Sequence, residues 1–152
     1  MTPILTVLSY WLHALATVVF IGHFVLLAVV YIPALTDTPA ALSAISKRSR
    51  LWMYASLLIF IITGVYLMFV DPNYLGIGKF NNFWSVMMLV KHLLIVGMIG
   101  TGFWFNAIMR VGPLMSSNTG AEAALVRFRW YVNTMAICGV LVLLLTALAQ
   151  VE

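Results

Sequence analysis

The chain has 152 residues, of which 64% are hydrophobic and 8% are charged, and its formal net charge is +4. A soluble domain carries about 25% charged residues, so this composition falls outside the soluble range and predicts an integral membrane protein. The length leaves no room for a separate soluble domain, and the positive charge indicates orientation in a membrane rather than binding to nucleic acid.

Four stretches are long and apolar enough to cross a bilayer, which takes about 20 residues of helix. The predicted spans cover about residues 3–34, 51–70, 84–109 and 130–149. Residues 1–152 are therefore predicted to form a single transmembrane domain, an all-α, antiparallel four-helix bundle with short connections. The first span lacks the basic start and short apolar core of a signal peptide, so we expect it to be retained.

The first predicted span contains two of the chain's three histidines, His13 and His23. An ionisable side chain at membrane depth indicates a functional site. From the rise of 1.5 Å per residue, His13 lies about 8 Å to the outer side of the middle of its span, and His23 lies about 15 Å deeper. Two interpretations of His23 remain open: a hydrogen-bonded interior residue, or a haem ligand paired with a methionine. The candidate methionines are Met53, Met109 and Met135.

Basic residues are unevenly distributed between the connections. Six lie in or beside the connections that follow the first and third spans: Lys47, Arg48, Arg50, Arg110, Arg127 and Arg129. The connection that follows the second span has only Lys79. Because Lys and Arg concentrate on the cytoplasmic side, we expect these two connections in the cytoplasm and both termini outside, in a bacterial inner membrane.

The third span opens with an adjacent lysine and histidine, Lys91 and His92. His92 is expected about 7 Å to the outer side of the middle of its span, which is nearly the depth expected for His13. Two imidazoles at one level on two helices are what the axial positions of a haem iron require. Lys91 lies about 100° from His92 around the helix, so it could reach the membrane surface, contact a cofactor carboxylate or compete as a ligand.

Glycines on the third span, notably Gly97 and Gly100, are candidates for contact with a flat cofactor. The alternative is close packing between helices, for which small residues are typical. The fourth span is apolar, and its Cys138 is expected to be a small packing residue. Histidine and methionine also suit copper, although the sequence has no closely spaced pair of such ligands in the outer connection.

The pattern formed by several of these residues resembles that of the CopD-like membrane proteins. The resemblance rests on His13, Gly22 and Pro33 in the first span, Thr63–Gly64 in the second, and Lys91, Asn106, Arg110 and Pro113 in and after the third. It implies a copper uptake or resistance protein. The arrangement is also similar to the HemJ-type proteins, which implies a four-span haem protein linked to protoporphyrinogen oxidation in which His13 and Lys91 serve the haem.

The chain departs from the CopD-like pattern at three positions. Phe20 stands where tryptophan is typical, His23 where a small residue is usual, and His92 is an additional histidine after the lysine. The additional histidines favour haem over copper. More broadly, the layout is similar to cytochrome b bundles that exchange electrons with quinones.

The leading hypothesis is a membrane cytochrome b in which His13 and His92 are the axial ligands of haem b. Its expected function is one-electron transfer, with a quinone or a redox protein as partner. We expect the chain to act in an oligomer or a larger complex. Copper handling, protoporphyrinogen oxidation and a purely structural subunit of a membrane complex are the alternatives. Hydrolytic chemistry is not expected, because no catalytic group set occurs in the spans.

Overall fold

The computed structural model describes residues 3–76, 79, 81–107 and 121–150. These residues form four helices: α1 (Pro3–Ala34), α2 (Pro39–Val70), α3 (Phe83–Ala107) and α4 (Ala121–Leu148). Each contains a segment long and apolar enough to cross a membrane. The predicted all-α transmembrane four-helix bundle is therefore confirmed, and the protein is an integral membrane protein.

Two helices begin earlier than the spans expected from the sequence. Helix α2 begins at Pro39 rather than near residue 51, and α4 begins at Ala121 rather than near residue 130. A helix of 32 residues measures about 48 Å, which exceeds the hydrocarbon thickness of about 30 Å. Either the whole of α2 is tilted in the bilayer, or its basic first turns extend beyond the hydrocarbon. Residues 108 and 109, the predicted end of the third span, lie outside the described residues.

Helix α1 widens into a π turn shortly before it ends. Pro33 has no N–H and its ring crowds the carbonyl one turn earlier, so the regular α-helical bonding is interrupted in the turn before it. A π turn forms over Leu27–Tyr31, in which the Ile32 N–H donates to the Leu27 carbonyl. Helix α1 stops at Ala34, and after four connecting residues α2 begins with Pro39, whose fixed φ suits a first helical position.

The connection between α2 and α3 is held by side chains that bond to the backbone. Asp71 is extended, as the residue before Pro72 must be, and its carboxylate accepts from the Asn73 N–H at 2.9 Å. Asn82 donates to the Asn73 carbonyl at 3.0 Å and accepts from the Ser85 N–H at 2.9 Å. The second bond caps the first turn of α3, which would otherwise leave that N–H unpaired.

The helices are not packed equally around the bundle. Helix α1 packs against α2 and α4, and α3 packs chiefly against α4, so the order of principal contacts is α2, α1, α4, α3. Most of the buried core lies towards the end where α1 stops and α2 begins, which we call the basic end. It includes Phe20 and Phe24 of α1, Leu42 of α2, Phe105 of α3 and Val132 of α4. The opposite end, with the α2–α3 connection, is the open end.

Candidate functional site

A cavity of about 580 Å³ lies in the open end of the bundle, where α3 is separated from α1 and α2. All four helices line it, and most of its wall is apolar. Its polar lining residues are Tyr10, His13, Thr17, Asp71, Lys91, His92, Thr146 and Gln150. An apolar cavity with a few polar groups, in the range of roughly 300–1,000 Å³, is typical of cofactor sites. We call it the histidine cavity.

His13 enters the cavity from α1 and is held by one turn of α2. Its imidazole stacks on the ring of Phe60, with centroids 4.6 Å apart and planes 19° from parallel. Its Nδ1 lies 2.9 Å from the hydroxyl oxygen of Thr63. A Cβ on Gly64 would lie 3.1 Å from the Cε1 of His13, so the missing side chain leaves the space that the ring uses.

The hydrogen bonds of Thr63 determine which nitrogen of His13 carries the proton. The Thr63 hydroxyl donates its single hydrogen to the carbonyl of Ile59, at 2.6 Å. It must therefore act as acceptor towards His13, whose Nδ1 is the donor. In this tautomer the Nε2 of His13 keeps its lone pair and is a competent metal ligand.

His92 enters the same cavity from α3, and its Nδ1, like that of His13, carries the proton. Its Nδ1 lies 2.6 Å from the carbonyl oxygen of Met88, one turn earlier. A carbonyl can only accept, so Nδ1 donates and Nε2 keeps its lone pair. A ligating histidine commonly donates its second nitrogen to a backbone carbonyl, which fixes the ring and raises its basicity. The cavity thus contains two imidazoles, each with an available Nε2, on two different helices.

Lys91 also lines the histidine cavity, next to His92 in sequence. Its side chain is half-buried, so its ammonium group brings a positive charge to a largely apolar wall. A cofactor carboxylate would pair with that charge. Of the sequence-predicted site residues, the structure thus brings His13, Lys91 and His92 together in one place.

His23 is not among the residues that line the histidine cavity. It lines a separate groove of about 300 Å³ between α1 and α2, together with Val18, Val19, Gly22, Leu26, Ser49, Trp52 and Met53. We call this the His23 groove. The Nε2 of His23 lies 3.3 Å from the hydroxyl oxygen of Ser49. Of the methionines considered as partners, Met53 lines the groove, Met135 is buried in the core and Met109 lies outside the described residues.

Gly97 and Gly100 are exposed on α3 and are not among the residues that line the histidine cavity. A Cβ at either position would find no atom within 4 Å. Their expected contact with the cofactor therefore has no counterpart in the geometry, because they occupy the outward face of a helix whose inward face carries Lys91 and His92. The side chain of Asn106, and Arg110 and Pro113, lie outside what the structure describes.

Three contributors to the site carried no chemical signal in the sequence. Phe60 is one of many aromatic residues in apolar spans, and the Met88 carbonyl belongs to the backbone. Thr63 stands out in the sequence only as part of a family-like Thr-Gly pair, and its role follows from its contact with His13. A threonine beside a glycine is too common in membrane helices to identify such a partner.

The described part of the chain contains no group of three or more His, Cys, Asp or Glu side chains placed to hold a metal ion. The donor set of the histidine cavity is instead a pair of imidazoles with an amine. Comparison with protein-family models, with curated proteins and with solved structures gave no match.

Proposed function

We propose that the protein is a haem b-binding membrane cytochrome that transfers single electrons. One observation carries the proposal: His13 and His92, on two different helices, line one cavity and each has its Nδ1 engaged as a donor. Two available imidazole nitrogens are the protein ligands that a six-coordinate haem uses. The resemblance to the HemJ-type proteins also implies a haem served by His13, whereas the CopD-like resemblance implies copper.

The residues present fit this cofactor. His13 and His92 would hold the iron, Lys91 would pair with a propionate, and the apolar wall would cover the porphyrin. When bound, the haem supplies a one-electron redox centre. The chain's own contribution is to orient both imidazoles, because Thr63 and the Met88 carbonyl hold each Nδ1 proton. The largely apolar wall also limits access of water, which tunes the potential of such a centre.

The absorption spectrum of the full chain purified in detergent tests this proposal. We expect a sharp α-band after reduction with dithionite and about one haem per chain by pyridine haemochrome assay. His13→Ala and His92→Ala should each abolish the low-spin spectrum, whereas His23→Ala should retain it. A wild-type protein without an α-band after expression with added haem precursor would overturn the proposal. Stoichiometric copper in that sample would favour the copper alternative.

The position of Lys91 favours a second candidate, a HemJ-like protoporphyrinogen oxidase. Lys91 lines the same cavity as His13, so an amine is also present at the site. Here His13 and Lys91 would serve the haem, and the remaining volume would admit the porphyrinogen. Lys91→Ala would then lose the haem while His92→Ala kept it. Under bis-histidine ligation the two variants should give the opposite result.

A further inference from the structure

The His23 groove combines a polar pair with an apolar surface that faces lipid. Its lining residue Trp52 is 71% exposed and Leu26 is 50% exposed, so the groove opens on the outside of the bundle between α1 and α2. His23 and Ser49 are polar residues of its lining. The Ser49 hydroxyl oxygen lies 3.3 Å from the Nε2 of His23 and 3.4 Å from the Ser46 carbonyl oxygen, to which it can donate. Both distances are long for a hydrogen bond, so His23 and Ser49 retain capacity for another partner.

The groove lies at the depth expected for a polar headgroup. Ser49 is flanked in sequence by Arg48 and Arg50, which mark the basic end of α2. Both arginines are exposed and neither lines the groove. A ligand would therefore reach the groove from the lipid and would meet hydrogen-bonding groups there rather than a cluster of positive charges. This favours a neutral headgroup over a phosphate.

A chain of ring contacts joins the groove to the histidine cavity. His23 contacts Phe24 with centroids 5.6 Å apart, and Phe24 contacts Phe20 at 5.5 Å. Phe20 lies 6.4 Å from Phe60, which stacks on His13 at 4.6 Å. No polar side chain interrupts this series. The groove is thus connected by close packing to the residue proposed to hold the haem.

We infer that the His23 groove binds the headgroup of a lipid-soluble quinone. A quinone has an apolar ring and tail and carbonyl oxygens that accept hydrogen bonds from groups such as His23 and Ser49. Trp52 offers an aromatic surface beside it. The choice of a redox-active ligand rests on the proposed function, because the ring contacts lead to His13, whereas the shape and polarity of the groove are independent of it.

Two open glycines provide a matched test. Gly22 lines the groove, and a Cβ there would find no atom within 4 Å, so the side chain of Gly22→Leu begins in open space and occupies part of the groove. Gly97 on α3 is equally open but lines neither the groove nor the histidine cavity. Gly97→Leu therefore adds the same side chain to a lipid-facing helix surface and serves as the control.

The measurement is quenching of tryptophan fluorescence by a 1,4-benzoquinone with a decyl tail, titrated into the full chain in detergent. We expect Gly22→Leu to raise the Kd at least about tenfold. Ser49→Ala should raise it by about 3- to 10-fold through one lost hydrogen bond. Gly97→Leu should bind as the wild type does, and Trp52→Phe should lose most of the quenching.

Equal affinity in wild type and Gly22→Leu, or equal weakening in Gly22→Leu and Gly97→Leu, would overturn the inference. Displacement of the bound quinone by an equal concentration of decane would also overturn it, because the groove would then bind only an alkyl chain. The α-band of every variant is recorded in parallel. Since quinone quenching is measured whether or not haem is present, failure of this inference and failure of the haem proposal give different results.

Discussion

His13 is positioned by three consecutive features of one turn of α2. Phe60 supports the face of its ring, Thr63 accepts its Nδ1 proton, and Gly64 leaves room for its Cε1. Phe60 fixes the tilt of the imidazole ring, Thr63 fixes its tautomer, and Gly64 allows the two helices to approach. A histidine in an apolar span would otherwise have several rotamers and two tautomers. Together they fix the ring of a residue that lines the histidine cavity and leave the lone pair on Nε2.

Removal of the Thr63 hydroxyl should weaken cofactor binding without unfolding the helix. In Thr63→Val the shape is kept but Nδ1 of His13 loses its acceptor. Partners of a ligating histidine typically contribute 10- to 100-fold to metal affinity, so we expect the affinity for haem to fall by about that factor. Haem titration of the apoprotein measures it, and the reduction potential should also shift.

Thr63→Ser should restore the wild-type affinity, because serine keeps the hydroxyl. The matched control is Thr101→Val on α3, where the hydroxyl donates to the Gly97 carbonyl of its own helix at 2.7 Å. Equal losses in Thr63→Val and Thr101→Val would mean that any hydroxyl removal loosens the bundle, and the positioning role of Thr63 would be wrong.

At the scale of the helices, α1 and α4 approach closely where Gly139 faces Ile21. A Cβ on Gly139 would lie 2.8 Å from the Cγ2 of Ile21, which is a buried residue. Small residues at such crossings let helices in a membrane pack through van der Waals contact. The crossing joins the α1–α2 pair to the α3–α4 pair, since α1 and α4 form the contact between them.

The same substitution at two glycines should therefore change stability in opposite directions. Gly139→Ala forces Ile21 to move, and overpacking of this kind typically costs about 1–3 kcal/mol. Gly100→Ala meets no atom within 4 Å and should stabilise α3 by about 0.5–1 kcal/mol through helix propensity. Thermal unfolding in detergent, followed by circular dichroism, measures both. Destabilisation of similar size at the two positions would contradict the proposed contact.

The boundaries of the elements were only partly predictable. Pro33 and Pro72 indicate helix ends because proline cannot continue a helix, and both helices stop close to them. The beginning of α2 at Pro39 was not expected, because the basic residues Lys47, Arg48 and Arg50 place the start of the apolar span near residue 51. Hydropathy locates the part of a helix that lies in lipid and does not locate the turns that continue into the interface.

At the scale of the whole molecule, the bundle is closely packed at one end and open at the other. Bulky residues such as Phe24, Phe105 and Phe128 fill the basic end. At the open end α3 contacts chiefly α4, which leaves the histidine cavity between α3 and the α1–α2 pair. The basic end thus stabilises the bundle, and the open end contains the candidate site.

The orientation of the bundle in the membrane is a prediction at this scale. The excess of Lys and Arg predicts that the basic end lies in the cytoplasm and the open end outside. In a Cys138→Ser background, Asn73→Cys lies in the α2–α3 connection and Ala44→Cys lies in the first turns of α2, and both positions are exposed. A membrane-impermeant maleimide added to intact cells should label Asn73→Cys only.

Permeabilised cells are the control, because both cysteines should then react. Labelling of Ala44→Cys in intact cells with protection of Asn73→Cys would reverse the orientation. The histidine cavity would then open towards the cytoplasm, and a redox partner would be sought on that side. Neither result would alter the bundle itself.

The sequence alone determined the membrane class and the number of helices. These properties are local, because hydropathy accumulates over about 20 residues of one helix. The depths expected for the histidines stay predictions from the constant rise per residue. Only the tertiary structure decided that His13, Lys91 and His92 share a cavity, that His23 lies in a separate groove, and that Gly97 and Gly100 face outward. A helix that is apolar all round does not reveal which face its neighbours cover. Rotation and neighbour order arise from contacts between distant residues, such as Thr63 with His13 and Gly139 with Ile21.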